Sequence, residues 1–155
     1  MSQEKLTKIC HYLSALVLAI ILICQFTPFW TFTAEEGETS LSISSYIWFP
    51  TENKAADSYI SANAGEGYNI NQLVVPSVLV LFLSAAGMIL CLIKSGEQWM
   101  GLFPLGCGLA GLWGFLTKAG FQLGTAWELH VALYVIVLAL GAAALYYAFK
   151  KEKAA

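Results

Sequence analysis

Apolar residues run through this chain in four long blocks that no charge interrupts: residues 9–34, 67–93, 98–117 and 129–149. These blocks of 26, 27, 20 and 21 residues exceed the roughly 18 uncharged apolar residues that mark a membrane-crossing helix. Trimmed by their polar flanks, they predict spans at about 9–30, 72–93, 98–117 and 127–149. At about 1.5 Å per residue, lengths of about 20 to 23 residues match a hydrocarbon core of about 30 Å. Each span must be helical, because an unpaired peptide group in lipid costs several kcal/mol. The first block is longer than the roughly 7–15 apolar residues of a signal core and is expected to remain a span. The fold class expected is an all-α membrane protein, one four-transmembrane-helix bundle over residues 1–155.

The pattern changes between the first two spans, at 31–71. Phe29-Trp30-Thr31-Phe32-Thr33 is rich in β-favouring residues. Glu35-Glu36-Gly37-Glu38 reads as a turn, and Leu41-Ser42-Ile43-Ser44 alternates with period two before Tyr46-Ile47-Trp48-Phe49. That order predicts a small β-hairpin. Pro50 ends it, Thr51 is placed to cap a short helix through about Ile60, and the glycines and asparagines of 62–71 read as irregular.

Charge turns the spans into a topology. Only 12% of residues are charged, against about 25% in soluble domains, which excludes a soluble enzyme domain, a disordered tail and a nucleic-acid-binding module. Lys5, Lys8, Lys94, Lys150, Lys151 and Lys153 fall on one side of the predicted bundle, and only Lys54 and Lys118 on the other. By the positive-inside rule both termini are cytoplasmic and the hairpin is extracytoplasmic. The expected location is a cell membrane, plasma or bacterial inner, with multiple passes. The outer segment carries five Glu and one Asp against one Lys, a net −5, but has no Asp-x-Asp-x-Asp-Gly spacing for calcium.

The chemistry-bearing residues are few. Cys10, Cys24, Cys91 and Cys107 all lie in spans, without the Cys-x-x-Cys of a thiol oxidoreductase. They read as small buried hydrophobes, with lipidation of Cys10 or Cys91 left open. His11 and His130 fall near opposite membrane faces, so one chain cannot give both to a single haem. His11 reads as an interfacial residue. His130, with Glu128 and Lys118 at the same outer level, is a candidate proton-linked site. Gln25, Ser84 and Thr117 are the main polar groups inside the spans, each within reach of a backbone carbonyl. Intramembrane carboxylates and lysines, the usual mark of coupled transport, are missing. Gly106-Cys107-Gly108-Leu109-Ala110-Gly111 fits Gly-x-Gly-x-x-Gly but lies inside an apolar span rather than at a strand-to-helix turn. No catalytic residue, metal site or cofactor is expected.

Small residues mark the third span. Gly106, Cys107, Ala110, Gly111 and Gly114 are candidate helix-packing positions, with small pairs four apart that let backbones approach. Pro104 predicts a kink there, and Pro76 is expected in the first turn or so of span two. Trp30, Trp99 and Trp127 suit an interfacial aromatic belt.

Inward termini, four spans, and a first outer loop that opens at Pro28-Phe29-Trp30 and continues as a hairpin resemble the claudin-like tetraspan membrane proteins. That family carries Gly-Leu-Trp and two cysteines in the loop. Here Tyr46-Ile47-Trp48-Phe49-Pro50 stands in the comparable place, without the Gly-Leu and without cysteines. The resemblance implies adhesion, barrier or channel-accessory roles. The expected function is non-enzymatic: a structural, accessory or recognition protein whose partners are the lipid bilayer, other membrane proteins or a second copy of itself. Trp30, Tyr46, Trp48 and Phe49 are the candidate partner-binding residues, since aromatics dominate interface hot spots. The alternative is a small oligomeric channel or transporter lined by the glycine-rich third span.

Overall fold

A computed structural model describes residues 2–33, 40–44, 58, 71–116, 122–123 and 127–152. Among them are four helices long and apolar enough to cross a membrane. The helices are α1 (Gln3–Cys24), α2 (Asn71–Ile93), α3 (Leu102–Leu116) and α4 (Trp127–Glu152). A 3-10 turn, Gln98–Gly101, leads directly into α3. Each helix packs on its chain neighbours, and α1 closes the ring on α4. The described part of the connection between α1 and α2 is extended: β1 (Pro28–Thr33) pairs antiparallel with β2 (Ser40–Ser44). On its other edge β1 pairs with β3 (Gln122–Leu123), setting Trp30 opposite Leu123 and Thr31 opposite Gln122. Of the short helix expected over 51–60 only Ser58 is described, in helical backbone.

Helix α1 differs from the span predicted at 9–30 at both ends. It starts at Gln3 because Ser2 caps it, its hydroxyl accepting from the Lys5 N–H at 3.4 Å, and because Glu4 and Lys8 pair one turn apart at 2.9 Å. It stops at Cys24 because the next residues turn back: the Phe26 and Thr27 N–H groups bond to the Ile23 and Cys24 carbonyls. Pro28 then begins a strand. Apolar character continued past the point where backbone geometry changed.

Pro76 lies early in α2, in its second turn, and its ring packs opposite Gly114. Pro104 lies in the first turn of α3, where its missing N–H falls among groups that lack helical partners anyway. The irregularity of span three is the 3-10 turn before it. The Cys91 thiol donates to the Met100 carbonyl in that turn at 3.8 Å.

The buried faces of α1 and α4 share a 3.5-residue repeat. On α1 it runs Thr7, His11, Ser14, Leu18, Ile21 and on to Gln25, just past the helix. On α4 it runs His130, Tyr134, Val137, Gly141, Ala144, Ala148. Such a repeat keeps one seam facing one neighbour. The helices are antiparallel, with the end of α1 against the start of α4, and the Gln25–Tyr134 contact fixes the register. His11 is then level with Ala148, and Ser14 with Ala144. The seam is polar at both ends and apolar at Leu18 and Ile21.

The α3–α4 seam is built from glycine. A Cβ on Gly108 would lie 2.6 Å from Leu138 Cβ and 2.7 Å from the Tyr134 carbonyl oxygen. One on Gly141 would lie 2.5 Å from the Leu105 nitrogen and 2.9 Å from the Gly101 oxygen. Only glycine lets the two backbones come this close.

Candidate functional site

Polar side chains are buried at the two ends of the α1–α4 seam. At the strand-bearing end, Gln25 follows the last turn of α1 with 1% of its surface exposed. Its Nε2 donates to the Ile21 carbonyl at 3.0 Å and to the Tyr134 hydroxyl at 3.5 Å. Two residues on, Thr27 Oγ1 donates to the Cys24 carbonyl at 2.7 Å and meets His130 Nε2 at 2.8 Å. The threonine proton is committed to Cys24, so His130 donates, and its Nε2 carries the hydrogen. The Tyr134 ring lies edge-on to His130 with centroids 6.1 Å apart. It also covers Gly111, where a Cβ would stand 2.5 Å from the ring atoms. A glycine on α3 thus positions the tyrosine that holds α1. Gln25 Oε1 is buried without a partner among the described residues.

The other end places Thr7, Cys10, His11 and Ser14 in the buried face of α1 and Cys91 in that of α2. His11 is fully buried. The chain folds back over it: the Gly96 N–H, in the turn between α2 and the 3-10 segment, donates to His11 Nδ1 at 3.1 Å. The ring is therefore neutral with its proton on Nε2. Among the described residues that Nε2 and the Ser14 hydroxyl have no hydrogen-bond partner. With its lone pair committed to Gly96, the His11 ring in this tautomer has no nitrogen to offer a metal.

Of the expected outer trio, His130 and Glu128 are described on α4. Glu128 is exposed on α4 and Lys118 lies outside the described residues. Residues two apart on a helix point to different sides, and His130 meets Thr27 on the neighbouring chain segment. Trp30 is described as backbone in β1, opposite Ile43 and Leu123. Tyr46, Trp48 and Phe49 lie outside the described residues.

The small residues of α3 divide between two neighbours. Gly111 and Gly108 meet α4, and Gly114 meets Pro76 of α2. A Cβ on Gly106 would be only 3.4 Å from a Leu83 methyl, an ordinary contact. Cys107 is buried with its thiol 4.0 Å from the Val80 carbonyl, and Ala110 is buried beside it. All four cysteines are free and buried. Ser84 donates to the Leu81 carbonyl at 3.0 Å. Trp127 stacks on Phe115, and Trp99 stands edge-on to Phe149 at the opposite end. Among the described residues no group of three His, Cys, Asp or Glu is placed to hold a metal ion.

Sequence reasoning passed over Thr27 and Tyr134, and saw Gln25 only as a backbone-bonding residue. The 3.5-residue repeat shared by α1 and α4 was the signal that joins Gln25 to Tyr134. Thr27, beyond the helix, leaves no periodic trace. Compared with known proteins, the chain matches no family model and no curated sequence.

Proposed function

We propose that this four-span protein is a non-enzymatic membrane scaffold that presents the segment between α1 and α2 to a protein partner. The observation that carries the proposal is the anchor at Thr27. Immediately before β1, its bond to His130 ties the outgoing chain to α4, and Gln25 two residues earlier ties it again through Tyr134. Polar groups buried in this way fix where a segment leaves the bundle. The glycines of α3 spend their close approaches on α2 and α4 of the same chain, which favours a packed scaffold over an oligomeric pore lined by α3.

Six of the eight lysines stand at or beyond the helix ends that share the termini, which supports cytoplasmic termini and an extracytoplasmic presented segment. The claudin-like outline supports an adhesion or accessory role in a plasma or bacterial inner membrane. Trp30, Tyr46, Trp48 and Phe49 are the proposed contact residues, as aromatics in a polar, acidic segment. The test is co-purification in mild detergent, comparing wild type with the Trp48→Ala, Phe49→Ala double variant. A specific protein lost only from the variant supports recognition. An identical set of captured proteins from both forms, or none from either, overturns it.

A further inference from the structure

Three residues on one face of α1 hold the turn between α2 and α3. The Gly96 N–H donates to His11 Nδ1 at 3.1 Å, and Ser95 Oγ donates to the Tyr12 hydroxyl at 3.0 Å. Gly96 has φ +105°, and a Cβ there would lie 3.1 Å from Lys8 Cε, so the lysine stem covers the turn. Lys8, His11 and Tyr12 stand at i, i+3 and i+4, the spacing of a single helix face.

Only the His11 contact depends on an acceptor that a proton can remove. A proton on Nδ1 would set an N–H against the Gly96 N–H and abolish that bond. It would also leave an imidazolium in a fully buried position whose Nε2 has no partner among the described residues. Across the seam, the register places Ala148 and Ala144 level with His11 and Ser14, and alanine offers no side-chain acceptor. The described carboxylates at this end are each paired with a lysine. On α1, Glu4 is paired with Lys8 at 2.9 Å, and Lys5, Cys10 and Tyr12 complete the set. In the turn, Glu97 is paired with Lys94 at 3.4 Å. On α2 there is Cys91. On α4 there are Tyr146, Tyr147, Lys150 and, by position, Lys151 and Glu152, the last level with Thr7, one turn beyond His11. The 3-10 turn carries no ionisable residue.

We propose that His11 is a pH-sensitive latch, and that its protonation releases the Lys94–Glu97 turn from α1 and loosens the shared end of α2 and α3. The test uses the full chain, isotope-labelled in lipid nanodiscs. The His11 ring signals and the hydrogen-exchange protection of the Gly96 amide are followed from about pH 8 to about pH 5, with protection taken relative to unstructured peptide at each pH. Gly96 protection is expected to fall about tenfold as the ring takes its proton, the equivalent of one lost hydrogen bond. His11→Gln keeps an acceptor that does not titrate and is expected to hold protection constant. Where His11→Gln fails to fold, Ser95→Ala serves instead: it weakens the latch and moves release to higher pH. Protection that stays constant while the ring titrates overturns the latch. So does a ring that stays neutral throughout, the same fall in His11→Gln, or an unmoved midpoint in Ser95→Ala.

Discussion

Helix α4 meets its two neighbours in opposite ways. Against α3 it presents Gly141 and receives Gly108, so backbone approaches backbone, and it lays the Tyr134 ring on Gly111. Against α1 it presents side chains on a regular repeat, with an apolar middle and hydrogen-bonding layers at both ends. In lipid, apolar helix faces gain nothing by hiding from water, so association rests on close packing and on hydrogen bonds. This one helix uses both means, and Tyr134, lying on Gly111 and bonded to Gln25, joins them. The glycine seam gives proximity, while the polar seam gives register: Gln25 can reach Tyr134, and Thr27 His130, in one alignment only.

The contrast breaks most visibly at Gly108. Gly108→Ala puts a methyl against backbone and Cβ atoms that cannot swing aside, and overpacking of this kind costs about 3 kcal/mol. Reversible unfolding of the protein in bicelles measures it. Gly106→Ala, with only a Leu83 methyl at 3.4 Å, is the matched control and is expected to be neutral or slightly stabilising through helix propensity. Equal losses at the two positions would mean that close approach is not confined to the α4 side. A smaller effect is expected on the polar seam. Thr27→Val removes the hydroxyl that His130 Nε2 meets, and taking one partner from a buried polar group costs about 1 to 2 kcal/mol. The same unfolding measurement applies, and a change near zero would mean the His130 contact is dispensable for register. Least of all, Tyr134→Phe deletes a 3.5 Å bond to Gln25 but keeps the ring on Gly111. It is expected to cost about 0.6 kcal/mol, the usual size of an interhelical hydrogen bond in membranes. A loss as large as that of Gly108→Ala would merge the two seams into one.

The spans were legible because charge is excluded from lipid, and this sequence spends its few charges at the helix ends. The ends of α1 were less so. A capping serine and a Glu4–Lys8 pair carry the helix out past the last apolar residue, and a Thr27-Pro28 turn stops it inside an apolar run. Depth along the bilayer can be counted from sequence; direction around a helix axis needs the neighbour. That is why Cys107 and Gly111 stood out as a pair of small residues while Gly108 and Gly141 make approaches just as close. Strand β3, two residues long, is too short for any periodic signature, and its pairing with β1 depends on where the helices deliver the chain.

All four native thiols are turned into the bundle, two of them engaged with backbone carbonyls. The unaltered protein is therefore expected to be silent to a membrane-impermeant maleimide. Single cysteines introduced at the chain ends and in the segment between α1 and α2 then become addresses read one at a time from either face of the vesicle. Sidedness can be mapped without first stripping the native sulfur from the core.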